Sequence, residues 1–145
     1  LVGEVRNEEE VDALLRASET GHLTLSTMHT KSAASTINRI KSLYSGSDQL
    51  RVLASLSDVA RGFANQVLVK DKQGGRFAVR EVLSVDEEVS DLIASGDVAG
   101  IRRYQIEHKK TMEHGLADAV LRGKCTLDEA RRVSQYRGLF DSLIN

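Results

Sequence analysis

Residues 17–30 read ASETGHLTLSTMHT, and this segment carries most of the information on the fold. Gly21 is a helix stop, so a helix is predicted to end there. Residues 23–27 then alternate apolar and β-tolerant polar side chains, which predicts a strand. His29 would follow the carboxyl end of that strand. In open α/β sheets, ligands bind at the carboxyl ends of strands.

A second predicted strand end lies at the start of the chain, where Leu1-Val2 precede Gly3-Glu4. If the two strands are parallel neighbours, Glu4 lies close to His29 at the same sheet edge. A glutamate there can orient a water molecule for attack on a phosphoryl group. A solvent-facing glutamate at the end of a strand is the simpler alternative. Because the chain starts with Leu1 inside this strand, we expect it to be a piece of a longer protein.

Two histidines flank the strand at 23–27, His22 before it and His29 after it. Either can hydrogen-bond a phosphate oxygen or a carboxylate. The pair can equally be ordinary surface histidines at the two ends of a strand. A metal site is the weakest alternative, because the sequence offers no defined third ligand, and no metal is predicted.

The first part of the chain is predicted to alternate helices and strands. Apolar spacing predicts a helix over 8–19 and another from Ser32 to about Tyr44. A further helix is predicted from about Gln49 to Phe63. Residues 66–70 and 76–85 are rich in Val and Phe and flank Gly74-Gly75, which predicts a β-hairpin with a glycine turn.

The remainder is predicted to be helical. Asp86 is predicted to cap a helix over 87–95, and Thr111 to begin one that ends near Gly123. Thr126 is predicted to cap a helix over 127–137, with Glu129 completing a capping box. Gly96 and Gly100 are predicted to separate helices. The predicted domains are therefore 1–85, half of an α/β unit, and 86–145, a helical subdomain.

Composition indicates an ordinary folded domain, with 41% hydrophobic and 28% charged residues. A single cysteine, Cys125, excludes an internal disulfide and fits a reducing compartment. It lies at a predicted helix start, where a thiolate would be stabilised, but a structural cysteine is the prediction. No apolar run approaches the roughly 18–20 residues of a membrane-spanning helix. The net charge of −1 gives no reason to expect a nucleic-acid partner.

Five short motifs in fixed order resemble the secretion ATPase family of type II and type IV systems, above all its pilus-retraction branch. They are Gly3–Arg6, Ala17–His22, Thr27–Thr30, Ser32–Ala34 and Ile37–Ile40. The resemblance implies an α/β fold: the C-terminal half of a RecA-like P-loop ATPase domain followed by a helical subdomain. Residues 88–93 read Glu-Val-Ser-Asp-Leu-Ile where retraction enzymes have Ala-Ile-Arg-Asn-Leu-Ile. The runs 78–83 and 86–89 look closer to ATPases of type IVB secretion and conjugative transfer.

The resemblance implies a role for each matching residue. Glu4 matches the Walker B glutamate that positions the attacking water. His22 and His29 match the two histidines of the His box, and His29, nearer the nucleotide, is expected to be catalytic. Gly3, His22 and Thr30 fall at the nucleotide-binding edge. The implied cofactors are ATP and Mg²⁺. Arg39, on the helix that follows, is expected to form a salt bridge or a subunit contact.

The resemblance also implies an assembly. We expect a homo-hexamer that acts on inner-membrane secretion or pilus platform proteins, in the cytoplasm and peripheral to the inner membrane. No Gly-x-x-x-x-Gly-Lys-Ser/Thr occurs in the 145 residues, so they are expected to be inactive alone. Two alternatives remain open: a non-catalytic docking module of a secretion system, and a nucleic-acid-binding helical domain over 101–137.

Overall fold

Eight helices and one β-hairpin make up residues 3–145, the part of the chain that this computed structural model describes. The elements in chain order are α1 (Glu8–Glu19), α2 (Ala33–Leu43), α3 (Asp48–Val59), β1 (Gly62–Lys70), β2 (Arg76–Ser84), α4 (Glu87–Ser95), α5 (Val98–Glu107), α6 (Met112–Leu121), α7 (Leu127–Val133) and α8 (Arg137–Ile144). No helix among them is both long and apolar enough to cross a membrane. Leu1 and Val2, where a strand was predicted, lie outside the described residues.

Side-chain caps set the starts of the helices that the sequence predicted. Asn7 and Ser32 each form a capping box, with the backbone N–H three residues on donating to the cap side chain. Asp86 caps α4 and Thr111 caps α6 in the same way, each by accepting from that N–H. These bonds satisfy N–H groups that have no partner inside a helix. The predicted helices at these four positions are confirmed.

The hairpin pairs β1 and β2 antiparallel, from Gly62 opposite Ser84 to Lys70 opposite Arg76. Gly74 and Gly75 both have positive φ, 100° and 80°, which glycine adopts without steric cost. The predicted glycine-turn hairpin is confirmed. Strand β1 begins earlier than predicted, so α3 ends at Val59 and not at Phe63, because Phe63 pairs with Leu83 in the sheet.

The predicted strand over 23–27 is wrong as a regular strand. A single parallel bridge joins Glu4 and Thr27. Leu23 and Leu25 are 80% and 61% exposed, so the segment is extended but not covered. The physical reason is that, within residues 3–145, it has only the short segment around Glu4 to pair with. Two short parallel segments are too few to sustain a sheet.

Two predicted helix boundaries in the second half are also wrong. Gly100 does not separate helices but lies inside α5, where its N–H donates to the Asp97 cap and a Cβ would lie 2.5 Å from Asp97 Oδ2. The helix predicted over 127–137 is divided after Val133. The N–H groups of Gln135 and Tyr136 donate there to a buried carboxylate and not to helix carbonyls.

The capping box predicted at Thr126 is only half formed. The Thr126 hydroxyl accepts from the Glu129 N–H as expected. The Glu129 carboxylate does not return the bond, because it accepts from the Lys70 backbone N–H and from the Arg132 guanidinium. This carboxylate therefore ties α7 to the end of β1.

Two hydrophobic clusters form the interior, and the hairpin contributes to both. The first includes Val11, Ile37, Leu53, Leu83, Val89, Ile93 and Ile101, and thus joins α1–α5. The second includes Val69, Val79, Met112, Leu116, Cys125, Ala130 and Phe140. Burial of apolar surface in these clusters is the main favourable term in folding. The division of the chain at residue 85 stays a prediction, since helices beyond it pack in the first cluster.

Candidate functional site

The bridge between Glu4 and Thr27 holds the segment 3–5 against the segment that leads to His29. The Val5 N–H donates to the Thr27 carbonyl at 2.8 Å, and the Thr27 N–H donates to the Gly3 carbonyl at 3.5 Å. The Ser26 hydroxyl also donates to the Gly3 carbonyl, at 2.5 Å. The Gly3 carbonyl therefore accepts hydrogen bonds within the fold, and the bridge fixes Glu4 beside residues 28–30, the loop that carries His29.

The Glu4 carboxylate lies between two cationic or potentially cationic groups. Arg6 Nη2 donates to Oε2 at 2.5 Å, and His29 Nε2 lies 3.4 Å from Oε1. The hydrogen bond from Arg6 holds the pKa of Glu4 below its usual range, and the charges of Arg6 and His29 act in the same direction. The Glu4 side chain is 25% exposed. It is an ionised, accessible acceptor, which is what orienting a water molecule requires.

His29 and Thr30 are neighbours with different freedom. The His29 side chain is 90% exposed, so its ring can turn toward a ligand while one nitrogen stays near Glu4. Thr30 is anchored: its hydroxyl is 2.6 Å from the Thr36 hydroxyl, and its carbonyl accepts from Asn65 Nδ2 at 3.1 Å. The loop backbone is thus fixed while the imidazole is exposed.

His22 lies at the far end of the extended segment. Its Nδ1 is 3.2 Å from the Thr20 hydroxyl, at the carboxyl end of α1. Within residues 3–145, no hydrogen bond or ion pair joins His22 to Glu4 or His29. Nor do three His, Cys, Asp or Glu side chains of the described residues converge as metal ligands. The structure brings together Glu4 and His29, and it leaves the role of His22 as a prediction.

Glu81, a carboxylate on β2 that is only 3% exposed, was not predicted from the sequence to be important. Its Oε1 accepts from the Ala33 N–H at 2.7 Å and its Oε2 from the Met112 N–H at 3.1 Å. These are the first residues of α2 and α6, so one carboxylate caps two helices. The available signal was the two-residue alternation of β2, which places Glu81 on the same buried face as Val79 and Leu83.

A second missed carboxylate is Glu113, 1% exposed on α6. Its Oε1 accepts from the Gln135 and Tyr136 N–H groups at 3.2 and 3.0 Å, and from the Ser134 hydroxyl at 3.3 Å. Glu113 therefore fixes the turn between α7 and α8. It contacts neither Glu4 nor the His29 loop.

Cys125 was predicted to be a structural cysteine, and Arg39 to form a salt bridge or a subunit contact. Cys125 is fully buried, and burial raises the pKa of its thiol, as expected of a structural cysteine. Arg39 is exposed and forms no ion pair with other described residues, so the predicted subunit contact stays a prediction.

Four of the nine basic residues in 101–145 form ion pairs with acidic side chains. Arg103 bonds to Asp97 at 3.2 Å, Arg131 to Asp141 at 2.8 Å and Arg132 to Glu129 at 2.7 Å. Each ion pair neutralises an arginine charge that binding to a nucleic-acid phosphate backbone would require. The geometry therefore offers no particular support for the nucleic-acid alternative.

Comparison with known proteins gives consistent matches. The sequence model of the family described as Type II/IV secretion system protein matches residues 1–132. A twitching motility protein of Neisseria gonorrhoeae is 34% identical over 93% of this chain and 37% of its own length. The chain thus spans little more than a third of this curated relative.

Two solved structures have the same fold. The pilus retraction motor PilT with bound ADP superposes with a TM-score of 0.88 and 31% identity, over 97% of this chain and 40% of that one. The Legionella pneumophila ATPase DotB gives 0.81 and 28%, over 90% and 37%. These matches confirm the predicted fold class, the α/β fold of a secretion ATPase.

Proposed function

The chain belongs to the type II/IV secretion system protein family, and we propose that it is part of a motor ATPase whose Glu4 orients the water that attacks the γ-phosphate of ATP. The observation that carries this proposal is the Glu4–His29 pair. An ionised carboxylate and an exposed imidazole lie 3.4 Å apart at one edge of the fold. Such a pair can orient water and hydrogen-bond a phosphate oxygen.

The residues present fit one side of a nucleotide. Glu4 supplies a hydrogen-bond acceptor for water, and the exposed His29 ring supplies a donor for a phosphate oxygen. Gly3 and Thr30 are proposed to line the same edge, although the Thr30 hydroxyl is already bonded to Thr36. A nucleotide contact by His22 is also proposed, but from the far end of the extended segment, where its ring lies against Thr20. When bound, ATP supplies the phosphoanhydride bond and Mg²⁺ neutralises phosphate charge. No Gly-x-x-x-x-Gly-Lys-Ser/Thr occurs in the 145 residues, and we propose that the phosphate-binding loop comes from another part of the whole protein.

The work done by the motor is proposed from the relatives. The matched structures are a pilus retraction motor and an ATPase, and the matched curated protein is named for twitching motility. We propose a homo-hexamer in the cytoplasm, peripheral to the inner membrane. It would use ATP hydrolysis to act on membrane platform proteins of a pilus, type IV secretion or conjugation system.

The test is ATP turnover by the full-length gene product and its Glu4→Gln variant. Glutamine keeps the size of the side chain but removes the ionised acceptor. The variant should bind ATP with near wild-type affinity and hydrolyse it about 10²–10⁴-fold more slowly. Glu9→Gln is the matched control, because Glu9 is an exposed carboxylate in the first turn of α1, and it should leave turnover unchanged.

Three results would count against the proposal. Equal turnover by Glu4→Gln and Glu9→Gln would remove Glu4 from the reaction. Absence of Mg²⁺-dependent turnover in the wild-type hexamer would favour the alternative of a non-catalytic docking module. Turnover by the 145 residues alone would contradict the proposal that the phosphate-binding loop is needed from elsewhere.

A further inference from the structure

The loop that carries His29 is fixed by one cross-strand pair of the hairpin. Asn65 on β1 and Glu81 on β2 lie directly opposite each other in the register. Asn65 Nδ2 donates to the Thr30 carbonyl at 3.1 Å, and Glu81 Oε1 accepts from the Ala33 N–H at 2.7 Å. The pair therefore holds Thr30, the residue after His29, and Ala33, at the start of α2.

The same pair reaches the helical half of the chain. Glu81 Oε2 accepts from the Met112 N–H at the start of α6, in the second hydrophobic cluster. Ala33, bonded to the other oxygen, belongs to the first cluster. Both oxygens of one buried carboxylate are thus committed, one to each cluster. A movement of α6 relative to the hairpin must lengthen at least one of these bonds.

We propose that Glu81, with Asn65, is a positioning device that sets the His29 loop against Glu4 and connects its position to α6. The two hydrogen bonds of Glu81 are strong because they are charge-assisted and buried. They also fix where Ala33 and Met112 lie relative to β2. His29 has little packing of its own, since its side chain is 90% exposed. Its distance to Glu4 therefore depends on the loop backbone, which the Glu4–Thr27 bridge holds before His29 and Asn65 and Glu81 hold after it. The effect on catalysis rests on the proposed function, and the structural connection does not.

The decisive variant is Glu81→Gln in the full-length protein. A carboxamide has one acceptor oxygen, and the second position becomes an NH₂ donor facing a backbone N–H. One of the two bonds must be lost. Hydrogen exchange followed by mass spectrometry should show exchange about 10-fold faster in peptides covering 29–36 or 109–115. In ATP turnover, kcat should fall about 10-fold with KM changed less than about 2-fold.

Glu113→Gln is the matched control. Glu113 is equally buried and also bonds backbone N–H groups, but all three of its bonds use Oε1, so a carboxamide can keep them. It should change exchange near 134–137 at most and leave kcat within about 2-fold. Asn65→Ala is the second test variant if Glu81→Gln does not fold. It should speed exchange in 29–36 without changing 109–115, and it should lower kcat.

Each outcome decides a part of the inference. Unchanged exchange in both peptides of folded Glu81→Gln would refute the connection. Faster exchange with kcat equal to that of Glu113→Gln would refute the positioning role. If the wild-type protein does not hydrolyse ATP, the proposed function fails, and the exchange measurement still decides whether Glu81 joins the loop to α6.

Discussion

Replacing Glu113 by alanine should destabilise the chain by about 3 kcal/mol. The buried carboxylate accepts three hydrogen bonds from the 134–136 turn. A hydrogen bond to a charged group contributes roughly 1.5–3 kcal/mol, and a neutral one about 1. Gln135 is exposed, so water replaces part of its bond in the variant. We therefore take about 1 kcal/mol for each of the three donors.

Urea unfolding followed by circular dichroism at 222 nm measures this change. With a slope of about 2 kcal/mol per M, a loss of 3 kcal/mol lowers the midpoint by about 1.5 M. Glu113→Gln should lose only about 1 kcal/mol, since the amide oxygen can replace Oε1. Glu107→Ala, an exposed position on α5, should stay within about 0.5 kcal/mol of wild type. A midpoint shift below about 0.5 M for Glu113→Ala would refute the reasoning.

Two further predictions concern glycine packing and acid stability. Gly115→Ala should destabilise by about 1–3 kcal/mol, because a Cβ would lie 2.7 Å from Cγ1 of Val79; Gly138→Ala, in α8 with open space, should stabilise by about 0.5–1 kcal/mol. The midpoints of thermal or urea unfolding measure both changes. A change in stability of the same sign for both variants would contradict the packing argument. The Arg132 hydrogen bond lowers the pKa of Glu129 from 4.5 to about 2. Its stabilisation is therefore complete above pH 4.5 and lost toward pH 2, so wild type should lose more stability over this range than Glu129→Gln.

Local chemistry made much of the fold predictable. Asp86, Thr111 and Ser32 are cap residues that start helices through their own side chains, and Gly74-Gly75 can reverse the chain without a partner. These residues act on neighbours a few positions away, so the local sequence is enough to predict the helix starts and the turn. The proximity of Glu4 and His29 was predictable for a different reason. Each follows the end of a predicted strand, so parallel pairing of the two segments brings them to one edge, and the structure has a parallel bridge there with 3.4 Å between the two side chains.

Features that depend on distant partners were not predictable. Residues 23–27 alternate like a strand, but a strand forms only where neighbouring segments supply hydrogen bonds. Glu113 divides the helix predicted over 127–137 from 21 to 23 residues away in sequence. Glu81 bonds residues 48 and 31 positions distant. A polar residue on the buried face of a strand signals that a partner exists, but it does not say which one.

The hairpin has a consequence for the order of folding. Its paired residues are separated by 6 positions at Lys70–Arg76 and by 22 at Gly62–Ser84, so closing each pair costs little chain entropy. We expect contacts of such short range to form before those between α1 and α3, which join more distant segments. The strands β1 and β2 supply side chains to both clusters. A hairpin that forms first would therefore offer an apolar surface against which each cluster can pack without the other.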